Sequence, residues 1–259
     1  MSAATDHLLS PQRRRVVLGH LRNQGTVQVA ELAQALGISP STVRRDLQEM
    51  EDEGLLARVH GGATLVADDL EADQPARAAE HQDQKRRIGA AAAALVQDGT
   101  TVLISGGTTT ETMVGHLADR ENLTVITNSL AIAHALARHP SIAVVVLGGF
   151  LRHREKSLLG HLTEQALAEF RIDQVFTGAF GVDPEVGVTG ADVREARTDR
   201  ALLEAGGQHV LLADAGKLGR RGPVRLVPAA RISALVTDAD PAHPVRRGLA
   251  AAGVPVIAC

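Results

Sequence analysis

Aromatic side chains are nearly missing from this chain, with four Phe and no Trp or Tyr among 259 residues. That leaves no platform of rings on which the bases of a single-stranded nucleic acid could stack. Cysteine is scarcer still. The single thiol, Cys259, provides neither a disulfide framework nor a cysteine-based metal site. No apolar run approaches the ~20 residues of a membrane span, and the polar N-terminal region has no signal-peptide core, so the expected location is the cytoplasm. A strong excess of one charge is lacking as well. Lys and Arg number 27 against 30 Asp and Glu, for a net charge of −3. Contact with nucleic acid would therefore need a local cluster of cations, because there is no global basic field. What is present is ordinary for a globular protein, 44% hydrophobic and 22% charged, with room for one large or two unequal domains.

The local cluster lies in residues 39–63, SPSTVRRDLQEMEDEGLLARVHGGA. Ser39 suits an N-cap, and Pro40 falls at the first helical position, where a missing N–H is harmless. Val43, Leu47 and Met50 recur at i, i+4 and i+7 as one buried stripe. Ser41, Arg45 and Gln48 project from the opposite side, flanked by Thr42 and Arg44. Those outward groups are hydrogen-bond donors suited to DNA. Arg can grip guanine edges or phosphates, Gln can read adenine, and Ser or Thr at a helix N-terminus can hold phosphate.

Two helices are expected before it. The first follows Ser10-Pro11, turns Val17, Leu18 and Leu21 inward, and ends near Gly25. After a short extended piece at 26–28, the second covers 29–36 with Val29, Leu32, Ala33 and Leu36 on its apolar face, and Gly37 suits a left-handed C-cap. A Gly-containing turn at 37–39 then joins two helices as a helix-turn-helix requires, with the second helix in the major groove. Residues 55–60 and 63–66 can pair as a hairpin over Gly61-Gly62, a wing that brings Arg58 and His60 beside the DNA backbone.

Taken together, VAELAQALGISPSTVRRDLQEMEDEGLLARVHGGA resembles the N-terminal domain of the DeoR family of bacterial transcription regulators. The resemblance implies a sequence-specific DNA binder, expected to be a repressor, whose C-terminal domain senses a phosphorylated sugar or related metabolite.

Residues 1–66 are thus expected to form the DNA-binding domain, the acidic stretch 67–84 a linker, and 85–259 an effector-sensing and oligomerisation domain. From Lys85 onward, short β-rich runs alternate with helical ones. Strands are expected at 101–105, 123–127, 142–147, 174–177, 209–213, 233–237 and 254–257. Helices are expected at 85–97, from the 106–110 turn to about 117, from 129 to 138, and at 163–170, 193–205 and 245–251. Runs such as IAVVVL predict a mostly parallel sheet covered on both faces. Ligands of such sheets bind beyond the carboxyl ends of the strands.

The fold class expected for the whole chain is therefore a winged helix-turn-helix followed by a mostly parallel α/β effector domain. There the turn Ser105-Gly106-Gly107-Thr108-Thr109-Thr110 combines glycines that admit an anion to the backbone with hydroxyl donors and a following helix N-terminus. It is neither a Walker A motif nor a G-x-G-x-x-G fingerprint. Asn128-Ser129 and Gly148-Gly149 end neighbouring strands, and Lys217 offers a cation. VITNSLAIAHAL, VVLGGFLR, SLLGHLTEQAL and LLADAGKLGR follow the order of the DeoR effector domain, which is similar to ribose-5-phosphate isomerase. The resemblance implies phosphosugar binding at the Gly-Gly-Thr-Thr-Thr turn with help from Asn128, Arg152 and Lys217. Three positions depart from the family pattern. Ser105 replaces an Asp, Phe180 in GAFGVD replaces another, and Asp199 stands where a Lys commonly follows Glu195-Ala196. The anion loop is kept while the groups that would hold sugar hydroxyls are changed, so a regulator without effector binding is one alternative.

An isomerase-like enzyme is the rival reading. Glu195 or Asp183 could serve as its base, but Phe180 and the missing acid at 105 remove partners such chemistry needs. The eleven His show no metal-ligand spacing, and no cofactor motif is present. The expected partners are double-stranded operator DNA, a small phosphorylated metabolite and further copies of the chain, as homodimer or homotetramer, with no membrane.

Overall fold

The computed structural model describes residues 10–24, 26–52, 56–59, 61–64 and 74–259. These form two compact units, 1–72 and 73–259.

In the first unit α1 (Ser10–Gln24), β1 (Thr26–Gln28), α2 (Val29–Leu36) and α3 (Pro40–Asp52) precede β2 (Ala57–Val59) and β3 (Gly62–Thr64). Gly37 adopts the left-handed conformation expected of it, at φ 64°, and ends α2. The Ser39 hydroxyl accepts the Thr42 N–H at 3.1 Å and caps α3. Val17, Leu21, Val29, Leu32, Val43, Leu47, Met50 and Leu56 share one core. Strand β3 lies between β1 and β2, antiparallel to both. The extended piece at 26–28 is therefore a third strand behind the wing. Both wing glycines are required. Gly61 has φ +81°, and a Cβ on Gly62 would stand 1.9 Å from the Val27 carbonyl oxygen. Gly25, Gly54, Leu55 and His60 lie outside the described residues.

The second unit opens with α4 (Gln74–Ala79) and α5 (Gln82–Ala93), both starting inside the stretch read as linker. Seven strands follow, in the order β15 (Val256–Ala258), β14 (Ala234–Thr237), β12 (Gly206–Leu212), β9 (Ile172–Thr177), β4 (Thr101–Ile104), β5 (Thr124–Thr127), β6 (Ala143–Val146), every pair parallel. Three apolar clusters pack against this sheet, one around Ile104, Phe176 and Val236, one around Leu103, Val175 and Leu202, and one around Leu211, Leu235 and Leu249. The helices α6 (Leu130–Leu136), α7 (His161–Ala168), α8 (Ala196–Glu204) and α9 (Pro244–Ala251) complete the layers.

Several elements differ from the sequence reading. The helix after the 106–110 turn is a 3-10 helix, Thr110–His116, so an α-helix dipole does not back that turn. The valine-rich β6 has the sequence of a strand covered on both faces, yet it is an edge strand with Ala143 and Val146 exposed. Val144 and Val145 pack against the first two of those clusters, so the strand's faces are partly covered while its outer edge has no strand beside it among the described residues. A hairpin of β7 (Phe150–Arg152) and β8 (Ser157–Leu159), and a small antiparallel sheet of β10 (Gly181–Asp183), β11 (Gly187–Gly190) and β13 (Val224–Val227), have no counterpart in the sequence reading. Their strands are three or four residues long, too short for a period to register.

Candidate DNA-reading face and anion crevice

Helix α3 presents two chemically different sides. Val43, Leu47 and Met50 are buried, whereas Ser41, Arg44, Arg45 and Gln48 are exposed and Thr42 is half-buried. The hydroxyls of Ser41 and Thr42 gather on the Ser39 hydroxyl at 2.7 and 2.8 Å, clustering donors at the helix N-terminus. Arg45 is 73% exposed and has only a loose 4.0 Å approach to Glu49. Gln48 is held towards the wing. Its side-chain oxygen accepts from the Arg58 guanidinium at 2.8 Å, and its amide donates to Asp52 at 3.0 Å. Glu51 accepts the Arg58 backbone N–H at 2.9 Å, so strand β2 hangs on the end of α3. Six of the seven residues singled out for DNA contact, Ser41, Thr42, Arg44, Arg45, Gln48 and Arg58, are thus placed on α3 and β2. His60 lies outside the described residues.

Asp46 was overlooked. It is buried on α3, and Arg13 of α1 grips both carboxylate oxygens, at 2.8 and 3.0 Å. The signal was an acid three residues past Val43 and next to Leu47, on the buried side of the helix. This fork fixes the roll of the reading helix against α1.

The second site is built at the carboxyl ends of β4 and β5. Within the turn after β4, the Thr110 hydroxyl donates to the carbonyls of Ser105 and Gly107 at 2.7 and 2.9 Å. Asn128, at the end of β5, accepts the Gly106 N–H at 3.0 Å and donates to the Leu158 carbonyl at 3.0 Å. Thr110 and Asn128 therefore brace the turn. The backbone N–H groups of Gly107, Thr108 and Thr109 and the hydroxyls of Thr108 and Thr109 have no hydrogen-bond partner among the described residues. These are the groups left for an anion. Ser157 of β8 closes on Gly106, where an added Cβ would meet it at 3.2 Å.

Arg152 of β7 sits across the hairpin from Ser157 and pairs with Glu195 at 2.5 Å. Burial pushes the Glu195 carboxyl up to about 7, and Arg152, pulling the other way, offsets only part of that. Lys217 follows β12, with its ammonium 5.9 Å above the Phe180 ring, while the Arg220 guanidinium stacks on the same ring at 3.6 Å. Phe180 is buried, so this departure from the family pattern puts an aromatic ring against two cations. Asp199 lies in the first turn of α8, one turn beyond Glu195.

Sequence reasoning also missed Lys85. It is buried in the first turn of α5, its ammonium donates to the Arg77 carbonyl, and its backbone carbonyl accepts the Thr112 hydroxyl at 2.8 Å. Burial lowers its pKa, Asp214 opposes that shift, and Lys217 adds to it. A lysine on the same stripe as Ile88 and Ala92 was the available signal. Asp183 is spent on structure. It accepts the N–H groups of Glu185 and Val186 and pairs with Arg221 at 2.9 Å. Burial works against its charge, but those donors win and keep its pKa below the usual carboxylate value. Of the two acids considered as a catalytic base, Asp183 is committed to structure and Glu195 is held in an ion pair by Arg152. Among the described residues no group of His, Cys, Asp and Glu is arranged to hold a metal, and no helix is long and apolar enough to cross a membrane.

A winged helix-turn-helix with a donor-rich face, followed by an α/β unit with an anion-ready turn, defines a DNA-binding regulator with a sensor unit. Comparison with known proteins makes the assignment specific. A sequence model of the DeoR-like helix-turn-helix domain matches residues 13–68, and one of the DeoR C terminal sensor domain matches 80–239. The chain belongs to the DeoR family of transcription regulators and is not an enzyme. It is 31% identical to the glycerol-3-phosphate regulon repressor of Escherichia coli strain K12 over 230 residues, 89% of this chain and 91% of that protein. It is 32% identical to the HTH-type transcriptional regulator GlpR of Haloferax volcanii over 251 residues, 96% and 98% of the two chains. Ribose 5-phosphate isomerase A of Methanocaldococcus jannaschii is a distant structural neighbour, with TM-score 0.41 and 18% identity over 54% of this chain and 56% of that one.

Proposed function

We propose that this regulator is a cytoplasmic repressor that holds operator DNA as a homodimer or homotetramer. In this reading residues 1–66 read DNA, 67–84 connect, and 85–259 sense a small phosphorylated metabolite and bring copies together. Ser41, Thr42, Arg44, Arg45, Gln48, Arg58 and His60 contact operator DNA. Ser105 to Thr110, Asn128, Arg152 and Lys217 form the effector crevice. Gly107, Thr108 and Thr109 meet the phosphate, Asn128 and Thr110 hold the turn in shape, and Arg152 and Lys217 supply charge. The observation that carries the reading is the exposed face of α3, where Arg44 and Arg45 stand opposite a fully buried stripe. The metabolite class rests on the turn's unpartnered donors and on a relative named as a repressor of a glycerol-3-phosphate regulon. Because one helix-turn-helix reads one half-site, two copies related by symmetry supply the affinity. Effector binding then acts by favouring an arrangement of copies that fits the operator spacing less well.

The test has two arms. Arg45→Ala is expected to weaken operator binding by about 1–3 kcal/mol and to reduce its salt dependence. Within a panel of sugar and polyol phosphates that includes glycerol 3-phosphate, at least one compound raises the melting temperature of the wild type, and Thr109→Val abolishes the rise. Unchanged DNA affinity removes Arg45 from the interface. A panel with no shift rules out the sensor.

A further inference from the structure

The chain enters the second unit through α4, a helix of six residues. A helix that short has no stability of its own in water, so whatever docks it decides whether it forms. None of its described residues belongs to an apolar cluster. Its fastenings among the described residues are polar. The Arg77 guanidinium pairs with Glu155, in the turn between β7 and β8, and the two side chains are nearly covered, at 12% and 9% exposed. Buried Gln74 donates its side-chain amide to Glu111 at 3.1 Å and its backbone N–H to the Arg154 carbonyl at 3.3 Å. Against these contacts stands the turn into α5, where His81 is left-handed at φ 54° without being a glycine.

Arg77 is tied to the anion crevice from two sides. Its carbonyl accepts from the Lys85 ammonium. The Thr112 hydroxyl in turn lies between the carbonyls of Lys85 and of Thr109 in the anion turn, at 2.8 and 2.6 Å. Through Glu155, the Arg77 guanidinium holds the hairpin that carries Arg152, which pairs with Glu195. Lys85 is itself buried, with Asp214 favouring its charge and Lys217 opposing it.

We propose that α4 is a strap coupling the crevice to the connection between the units, docked when an anion is bound and released more often when the crevice is empty, with Arg77 and Lys85 as its positioning residues. The inference rests on the anion-sensor reading above and names how that site acts. Charge supplies the sense. An anion beside Lys217 offsets the repulsion Lys217 exerts on the Lys85 ammonium, and so strengthens the bond from Lys85 to the Arg77 carbonyl. Linkage makes the effect mutual, and a docked strap holds the anion more tightly. Geometry supplies the output. Docked, the chain leaves the second unit at Gln74; released, it leaves at Gln82. The connection then gains residues 74–81, up to about 26 Å of added reach. A strap docked by the effector keeps the tether short and restricts the spacings at which the DNA-reading units of an oligomer can meet their half-sites.

Trypsin reads the strap directly. Between Arg58 and Arg77 the chain has no Lys or Arg, so cleavage after Arg77 is a distinct cut that divides the full chain into 1–77 and 78–259. The cut needs the Arg77 side chain to leave its covered place, and its rate follows the released population. Inorganic phosphate is the probe, with sodium chloride at equal ionic strength as the control. Saturating phosphate is expected to slow the cut in the wild type at least about fivefold, and sodium chloride to leave it as it is. Glu155→Gln should be cut at least about tenfold faster without phosphate, because Arg77 loses its buried partner. By calorimetry it should also bind phosphate at least about fivefold more weakly. Electrostatics alone predicts the opposite, since removing a carboxylate whose charge reaches Glu195 makes the crevice more positive. Should Glu155→Gln fail to fold, Gln74→Ala carries the same two expectations in the same direction. A wild type that binds phosphate but is cut equally fast with and without it overturns the strap and leaves the sensor standing. So does a folded variant that is cut no faster than the wild type or binds phosphate as tightly. A wild type that binds no phosphate also overturns the strap, and whether the sensor falls with it is read from the sugar-phosphate panel.

Discussion

His209 carries the plainest pH dependence in the chain. It is buried on β12 with its Nε2 2.7 Å from the Thr177 hydroxyl, and burial lowers its pKa to about 4. An unfolded histidine titrates near 6.5, so between about pH 6.5 and 4 the unfolded chain takes up a proton that the folded chain refuses. The stability contribution is fully present above pH 6.5 and falls away as the pH drops towards 4, by about 3 kcal/mol in all. Urea midpoints at pH 7 and pH 5 should therefore differ strongly in the wild type and much less in His209→Gln. Equal differences in both would remove His209 from the account. Asp46 makes a second prediction at this scale. Asp46→Ala leaves the largely buried Arg13 guanidinium without its fork and should destabilise the first unit by about 3 kcal/mol. Thermal unfolding followed on residues 1–72 within the full chain checks it. A loss below ~1 kcal/mol would mean that Arg13 is satisfied by other partners.

At the scale of elements, legibility followed strength of pattern. The helices α2 and α3 were readable to within a residue because Gly37, Ser39 and Pro40 mark their ends and the apolar stripe repeats every turn. The hairpin β7–β8 was not readable, since three-residue strands show no period and Lys156, at φ 51°, supplies a left-handed turn without a glycine. Edge placement of β6 was likewise invisible, because a strand's neighbours are settled by topology and its residues alone read as central. At the anion site the turn was legible as glycines and hydroxyls. Which of them stay available was not, because it depends on the Thr110 and Asn128 hydrogen bonds that only the fold brings about. The wing supplies the prediction here. Gly62→Ala forces the Val27 carbonyl away, which should cost about 1–3 kcal/mol and loosen Arg58. Amide exchange of the β1–β3 ladder should quicken, and an unchanged ladder would show that β1 can yield without cost.

For the whole molecule, function depends on two units that answer to different partners, DNA for one and an anion for the other. In the first, the described helices follow the caps and apolar stripe of the sequence closely. In the second, the Phe180 ring packs against the cations of Lys217 and Arg220. For the proposed effector crevice this ring favours a compact phosphorylated compound over a fully hydroxylated sugar. DNA reading under metabolite control can be measured by fluorescence anisotropy on a duplex from the region upstream of the protein's own gene, with and without the phosphorylated compound that raises its melting temperature. Binding is expected to be saturable and at least about a hundredfold tighter than to a scrambled duplex, weakened about tenfold or more by that compound and insensitive to it in Thr109→Val, on the order of known specificity ratios and coupling strengths. Equal affinity for both duplexes, or identical binding with and without the compound, would contradict it.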